Sequence, residues 1–232
     1  MNRKQLIAVS IALGLIVAAA PLAFAKKNPN PGVLPSHSTP YGMTSGEWGA
    51  AWWQWMSSIP VPDNPLFDET GEKCGVGQSG RVFFLAGVIN VSGTAERDCT
   101  VPAGKALFFP VLNVLCSELT GDGTTEEALL TCADSAISAT TELHASIDGV
   151  PLSNLDDYRG TSSSFGFTLP NNNWLQFFGF DAPAGFYEPA VSDGFWLMLT
   201  PLPPGNHTIN FGGTFGAPIN FTLDITYNLI VQ

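Results

Sequence analysis

The alternation of apolar and polar residues is strongest near the end of the chain. Over residues 219–231, large apolar side chains alternate with Asn, Thr and Asp, which predicts a strand with one buried and one solvated face. Residues 82–91 and 106–115 are apolar without alternation, as expected of strands covered on both faces. Further strands are predicted at residues 143–147, 163–169, 174–180, 195–200 and 207–211. Eight short strands predict a mainly β fold, an antiparallel β-sandwich or jelly roll.

Two short α-helices are predicted at the side of this sandwich. Thr44 and Glu47 have the spacing of a capping box, which predicts a helix that runs to the prolines after Ile59. Thr124 and Glu127 repeat that spacing and predict a second helix to about residue 141. The expected architecture is therefore a sandwich with two flanking helices.

The first helix holds four of the six tryptophans, in the run EWGAAWWQW. On a helical projection, Trp48, Trp52 and Trp55 share one apolar face, which indicates that they anchor the helix to the sheet. Trp53 lies about 100° from Trp52 and closer to the polar side. Core packing therefore explains three of these rings but not Trp53.

The beginning of the chain predicts export. Arg3 and Lys4 precede an apolar stretch that ends in Ala23-Phe24-Ala25, the pattern of a signal peptide spanning residues 1–25. A permanent transmembrane anchor is the alternative, but the apolar run is at the short end for a membrane span. The proline-rich residues 26–40 predict a flexible leader, and residues 41–232 predict a single β-sandwich domain. We expect an exported protein, either periplasmic or secreted.

The charge distribution limits the possible partners. The chain has 20 acidic and 9 basic side chains, and beyond Ala106 the only basic residue is Arg159. Nucleic acid and anionic lipid surfaces would be repelled, so we expect neither as a partner once the signal peptide has been removed. Most of the carboxylates are expected to keep an apolar chain in solution.

Four cysteines in an exported chain predict two disulfides. We expect Cys74 to pair with Cys99, because the two residues bracket an apolar segment of hairpin length. Cys116 is expected to pair with Cys132, which lies on the apolar face of the second predicted helix. A zinc site is the alternative, but the cysteine spacings are not those of zinc ligands and the histidines lie far away. We predict no metal and no cofactor.

Several long runs resemble a widespread family of exported bacterial proteins for which no activity is established. The runs are YGMTSGEWGAAWWQW, NPLFDETGEKCGVGQSGRVFFLAG, CTVPAGKALFFPVLN and SDGFWLMLTPLPPGNHTINFGG. They cover much of the chain beyond the leader and are unusual in composition. The resemblance implies a bacterial exported protein and little about chemistry.

No catalytic residue is assigned from the sequence. A Ser/His/Asp triad lacks the Gly-x-Ser-x-Gly turn that would position its serine. Paired carboxylates are the better enzymatic hypothesis, because glycoside cleavage needs two acids across a groove. The acids considered for this role are Glu47, Asp68, Glu69, Glu188 and Asp193.

We expect a non-catalytic binding or structural protein of the cell envelope or its surroundings. Exposed indole rings bind the apolar faces of sugars, so the partner is a carbohydrate or another envelope component. The predicted ligand-binding residues are Trp53 with Gln54 and Glu47, and Trp174 with Gln176. One alternative is a secreted polysaccharide-active enzyme, and the other is self-assembly by strand addition if residues 219–231 lie at a sheet border.

Overall fold

The computed structural model describes residues 30, 32–89 and 93–232, so the predicted signal peptide lies outside the described residues. The described part contains ten strands: β1 Val82–Phe84, β2 Thr94–Val101, β3 Ala106–Ser117, β4 Thr140–Ile147, β5 Val150–Pro151, β6 Arg159–Thr161, β7 Phe165–Leu169, β8 Gly185–Leu199, β9 Gly205–Phe215 and β10 Phe221–Val231. Its α-helices are α1 Ser45–Ser57, α2 Glu126–Ile137 and α3 Trp174–Phe177. The mainly β prediction is confirmed.

The strands form two five-stranded sheets. The first sheet has the order β1-β3-β8-β6, and β7 also pairs with β8. The second sheet has the order β2-β10-β9-β4-β5. Two pairings are parallel, β1 with β3 and β2 with β10, so the expectation of a purely antiparallel sandwich is wrong. The jelly-roll form of the prediction remains a prediction.

Strand β3 is covered on both faces, as its uninterrupted apolar sequence predicts. Leu107 and Phe109 belong to the core shared with the second sheet, where Phe109 packs 4.7 Å from Phe211 between ring centroids. Phe108 belongs to a different core with α1, where it stacks on Trp196 at 5.4 Å. The fold is therefore a layer of helices on one sheet, which packs in turn on the other sheet.

The capping box of α1 forms as predicted. Thr44 Oγ1 accepts from the backbone N–H of Glu47, and Glu47 Oε2 accepts from the backbone N–H of Thr44 at 2.7 Å. Gly49 allows the helix to approach the sheet, because a Cβ atom there would lie 2.7 Å from the ring of Trp196. The cap and this close approach fix the position of the tryptophan side chains.

The other two helices differ from the sequence-based expectation. Helix α2 begins after Thr125 rather than Thr124, because Thr125 Oγ1 accepts from the backbone N–H of Ala128. The strand predicted at residues 174–180 is wrong, since α3 begins there. Asn173 caps that helix by accepting from two backbone N–H groups, a local bond set that competes with an extended conformation.

Both predicted disulfides are confirmed. Cys74 and Cys99 have an S–S distance of 2.05 Å, and Cys116 and Cys132 have one of 2.07 Å. The second bond joins β3 to α2. Two disulfides are compatible with an exported protein.

Two further predictions concern strand β10 and the proline-rich leader. Strand β10 pairs with β2 on one side and β9 on the other, so it is an internal strand and is not available for addition to a neighbouring sheet. Asn30 and residues 32–40 of the predicted leader belong to the described part of the chain: Asn30 is buried, and Val33 forms a β-bridge with Leu199. Among the described residues, no helix is both long and apolar enough to cross a bilayer.

Candidate ligand-binding cavity

A cavity of about 280 Å³ lies where α1, β3 and the β9–β10 hairpin meet. Its wall is almost wholly apolar and includes Trp52, Trp53, Leu66, Gly87, Val88, Ile89, Pro110, Leu112, Asn113, Val114, Phe215, Ile219, Phe221 and Leu223. Most of these residues are buried, whereas Ile219 in the hairpin turn is 42% exposed. The side of the cavity closest to solvent is therefore the one formed by this turn.

Helix α1 supplies the two tryptophans of the cavity wall. Trp52 donates from Nε1 to the carbonyl of Leu85 at 2.9 Å, which fixes its ring. Trp53 is 8% exposed, and its ring centroid lies 5.2 Å from that of Trp52 and 5.7 Å from that of Trp174. Trp53 is therefore packed among other indoles and does not present an exposed face.

The indole N–H groups separate Trp53 from the other tryptophans. Five of the six tryptophans donate to a protein oxygen, namely Trp48 to Pro40, Trp52 to Leu85, Trp55 to Val76, Trp174 to Ser57 and Trp196 to Gly160. Trp53 Nε1 is buried and has no hydrogen-bond partner in the part of the chain that the structure describes. A buried donor without an acceptor is costly, and such groups are uncommon in native proteins.

Asn113 brings a second unpartnered donor to the same cavity. Its Nδ2 atom is buried and has no partner among the described residues. Asn113 is the only polar residue in the apolar run of residues 106–115, which is the one sequence signal that could have pointed to it. It follows a β-bulge between Pro110 and Leu112 in the pairing of β3 with β8. Bulges re-aim side chains, and this one immediately precedes Asn113.

The opposite wall, from Gly87 to Ile89, is held by Arg97. Arg97 is 1% exposed, and its five N–H groups all have acceptors. The acceptors are the carbonyls of Asp68, Ala86, Pro65 and Gly87 and the hydroxyl of Tyr227. The sequence-based reading did not identify Arg97 or strand β2, on which it lies.

Four of the predicted ligand-binding residues make hydrogen bonds within the fold. Glu47 caps α1, and the hydrogen bonds from the Thr44 backbone and side chain lower the pKa of its carboxyl. Gln54 donates to the carbonyl of Gly166 at 2.8 Å, and Gln176 Oε1 accepts from the backbone of Asn173. Trp174 is 8% exposed and donates to Ser57. The expected exposed indole platform is therefore wrong, although Trp53 does line a cavity.

Comparison with protein-family models, curated proteins and solved structures finds no match to this chain. The cavity must therefore be interpreted from its own geometry and chemistry.

Titratable groups are concentrated elsewhere. None of the described residues that line the cavity carries a charged side chain. A separate, open groove is lined by Glu118, Asp181 and Glu188, and Glu188 is the acid of the enzyme hypothesis that belongs to it. Asp122 lies close to Cys116 and Cys132, but both sulfurs belong to a disulfide and are not thiolate ligands for a metal.

Proposed function

We propose that this chain is an exported, non-catalytic binding protein of the bacterial envelope or its surroundings, and that its ligand is a small apolar molecule held in the cavity beside α1. The proposal rests on one observation: two buried donors without partners, Trp53 Nε1 and Asn113 Nδ2, belong to residues that line a single apolar cavity. Two disulfides support export, because such bonds persist in oxidising compartments.

The size and lining of the cavity favour a small apolar ligand over a sugar. An apolar cavity of roughly 150 Å³ accommodates benzene, so the present volume suits a molecule of roughly ten to fifteen non-hydrogen atoms. A sugar carries a hydroxyl on nearly every carbon, and each hydroxyl would need a partner when buried. Among the described residues of the wall, the polar side chains are those of Trp53 and Asn113. Carbohydrate binding is therefore the less favoured form of the binding hypothesis.

The test uses naphthalene, which fills the cavity without requiring a hydrogen bond. We expect saturable binding to the purified full-length protein, followed through naphthalene fluorescence. Val114 lines the cavity, and Val114→Phe should abolish binding by occupying it. The same substitution at Val150, which is 60% exposed and lies on β5, should leave binding unchanged.

Two outcomes would overturn the proposal. One is the absence of saturable binding to the wild-type protein. The other is equal binding to the wild type and to Val114→Phe, provided that both unfold at the same temperature. Unchanged binding by the Val150→Phe control makes it possible to assign a loss to the cavity.

A further inference from the structure

The geometry points to a ligand that is uncharged and carries a carbonyl-type oxygen on an apolar frame, such as a ketone, aldehyde or ester, and that accepts hydrogen bonds from Trp53 and Asn113. This inference rests on the proposed function, because it assigns a chemical class to the occupant of the same cavity. It adds three requirements to the ligand: an acceptor, no net charge and an otherwise apolar surface.

The requirement for an acceptor follows from the two unpartnered groups. An indole N–H is only a donor, and the unpartnered atom of Asn113 is its amide nitrogen, which is also a donor. A carbonyl oxygen is an acceptor with two lone pairs, so it has the chemistry that either donor needs. A purely hydrocarbon ligand would leave both donors buried and unpaired, which is the costly state that a carbonyl removes.

The requirement for zero charge follows from the surroundings. A carboxylate in an apolar cavity needs a cation or several donors to offset the loss of hydration. The nearest buried cation, Arg97, uses all five of its N–H groups on four carbonyls and the hydroxyl of Tyr227. The chain itself has a net charge of -11. An anion would therefore enter an unfavourable potential and find no free cation among the described residues of the wall.

A cationic ligand is disfavoured for a different reason. An ammonium group has only donors, and the two polar side chains that line the cavity already present unpaired donors. The donors of the ligand would therefore find no acceptor in Trp53 Nε1 or Asn113 Nδ2. The part of the wall that the structure describes also has no carboxylate to balance a positive charge.

The test compares three naphthalene derivatives with the same number of non-hydrogen atoms: 2-acetylnaphthalene, 2-isopropylnaphthalene and 2-naphthoate. All three place a group of similar shape on the same ring system, so the comparison isolates the acceptor and the charge. We expect the ketone to bind about tenfold more tightly than the hydrocarbon. The anion should bind more weakly than either at neutral pH.

Variants assign the effect to the two donors. Trp53→Phe removes the indole N–H and Asn113→Leu removes the amide NH₂, and each should bring the affinities of ketone and hydrocarbon closer together. Trp48→Phe is the matched control, because Trp48 Nε1 donates to Pro40 and Trp48 does not line the cavity. In ¹⁵N-labelled protein, the Trp53 indole resonance should shift with the ketone more than with the hydrocarbon.

The outcomes separate the two proposals. The assigned ligand class is overturned if ketone and hydrocarbon bind equally well, or if the anion binds more tightly; in both cases the binding function stands. Equal affinity would also indicate that water satisfies the two donors. Failure of all three compounds and of naphthalene overturns the binding function itself. The binding function and the ligand class are both supported if the wild type prefers the ketone tenfold, Trp48→Phe retains this preference and Trp53→Phe reduces it.

Discussion

The guanidinium of Arg97 lies over the ring of Tyr227, its register partner on the adjacent parallel strand, 5.3 Å from the ring centroid. Arg97 also donates to the Tyr227 hydroxyl, which in turn donates to the carbonyl of Ala86 at 2.9 Å. The pair therefore ties β2 and β10 to the segment that continues into the cavity wall. A buried arginine without a carboxylate partner is stable here because every N–H has an acceptor.

Replacing Arg97 tests this arrangement. Arg97→Met should lower the free energy of unfolding by at least about 3 kcal/mol, because four buried carbonyls each lose a charged donor. Urea unfolding followed by tryptophan fluorescence measures the change. Arg81→Met is the control, since Arg81 is exposed, and it should fall within about 0.5 kcal/mol of the wild type. Equal losses in both variants would contradict the role given to Arg97.

The unpartnered indole of Trp53 predicts an asymmetry between neighbouring tryptophans. Trp52→Phe removes a hydrogen bond to the Leu85 carbonyl and should cost about 1 to 3 kcal/mol more than Trp53→Phe. The two substitutions remove the same volume from the same helix, so their difference reports the hydrogen bond. Chemical denaturation of the ligand-free proteins provides the measurement. Equal losses would show that Trp53 has a partner in solution.

The ion pair of Arg159 with Asp193 predicts a large stability effect. Asp193 has a side chain that is 1% exposed, and Arg159 donates to it from Nε and Nη2, which raises the pKa of the guanidinium. Arg159→Met would leave a buried carboxylate with only Thr161 as a partner and should cost about 3 to 5 kcal/mol.

The second carboxylate that contacts Arg159, that of Asp134, supplies a matched control. Asp134 also accepts from Arg159, but its side chain is 71% exposed. Asp134→Asn should therefore change the unfolding free energy by less than about 1 kcal/mol. Comparable effects of Arg159→Met and Asp134→Asn would show that burial does not decide the strength of this network.

The contact between His207 and Asp148 predicts a pH dependence. The hydrogen bond to Asp148 raises the pKa of His207 above its usual 6.5. Burial acts to raise the pKa of Asp148, but the hydrogen bonds from His207 and the Thr208 backbone outweigh it and lower the pKa below 3.8. The His207 contribution is therefore complete below pH 6.5 and is lost as the pH rises through the raised value.

The measurement is the thermal midpoint of the wild type and of His207→Gln across this range. Their difference should be largest near about pH 5 and should shrink toward about pH 8. His144→Gln serves as the control, because His144 contacts the more exposed Asp224 at 3.3 Å. A difference that stays constant with pH would contradict the coupling.

Local signals in the sequence predict only part of this protein. The cap of α1 and both disulfides follow from short-range spacing, and the structure confirms them. Strand β2 could not be predicted from the sequence, because Arg97 occupies an inward position where an apolar side chain is expected. The alternation of apolar and polar residues is therefore broken at the centre of the strand. The cavity could not be predicted for another reason: Trp53, Asn113 and Phe221 lie on α1 and on different sheets, and only the packing of these layers brings them together.

The parallel pairing of β2 with β10 also orders the steps of folding. Asn228 and Asp98, which are 130 positions apart, share a hydrogen bond across this pairing. The pairing of β2 with β10 at the edge of the second sheet therefore cannot form until the chain has been made at least to Val231. If the chain is exported as we propose, its earlier segments would lack a finished sheet during synthesis. Such a delay would keep the chain open for threading through a narrow secretion channel.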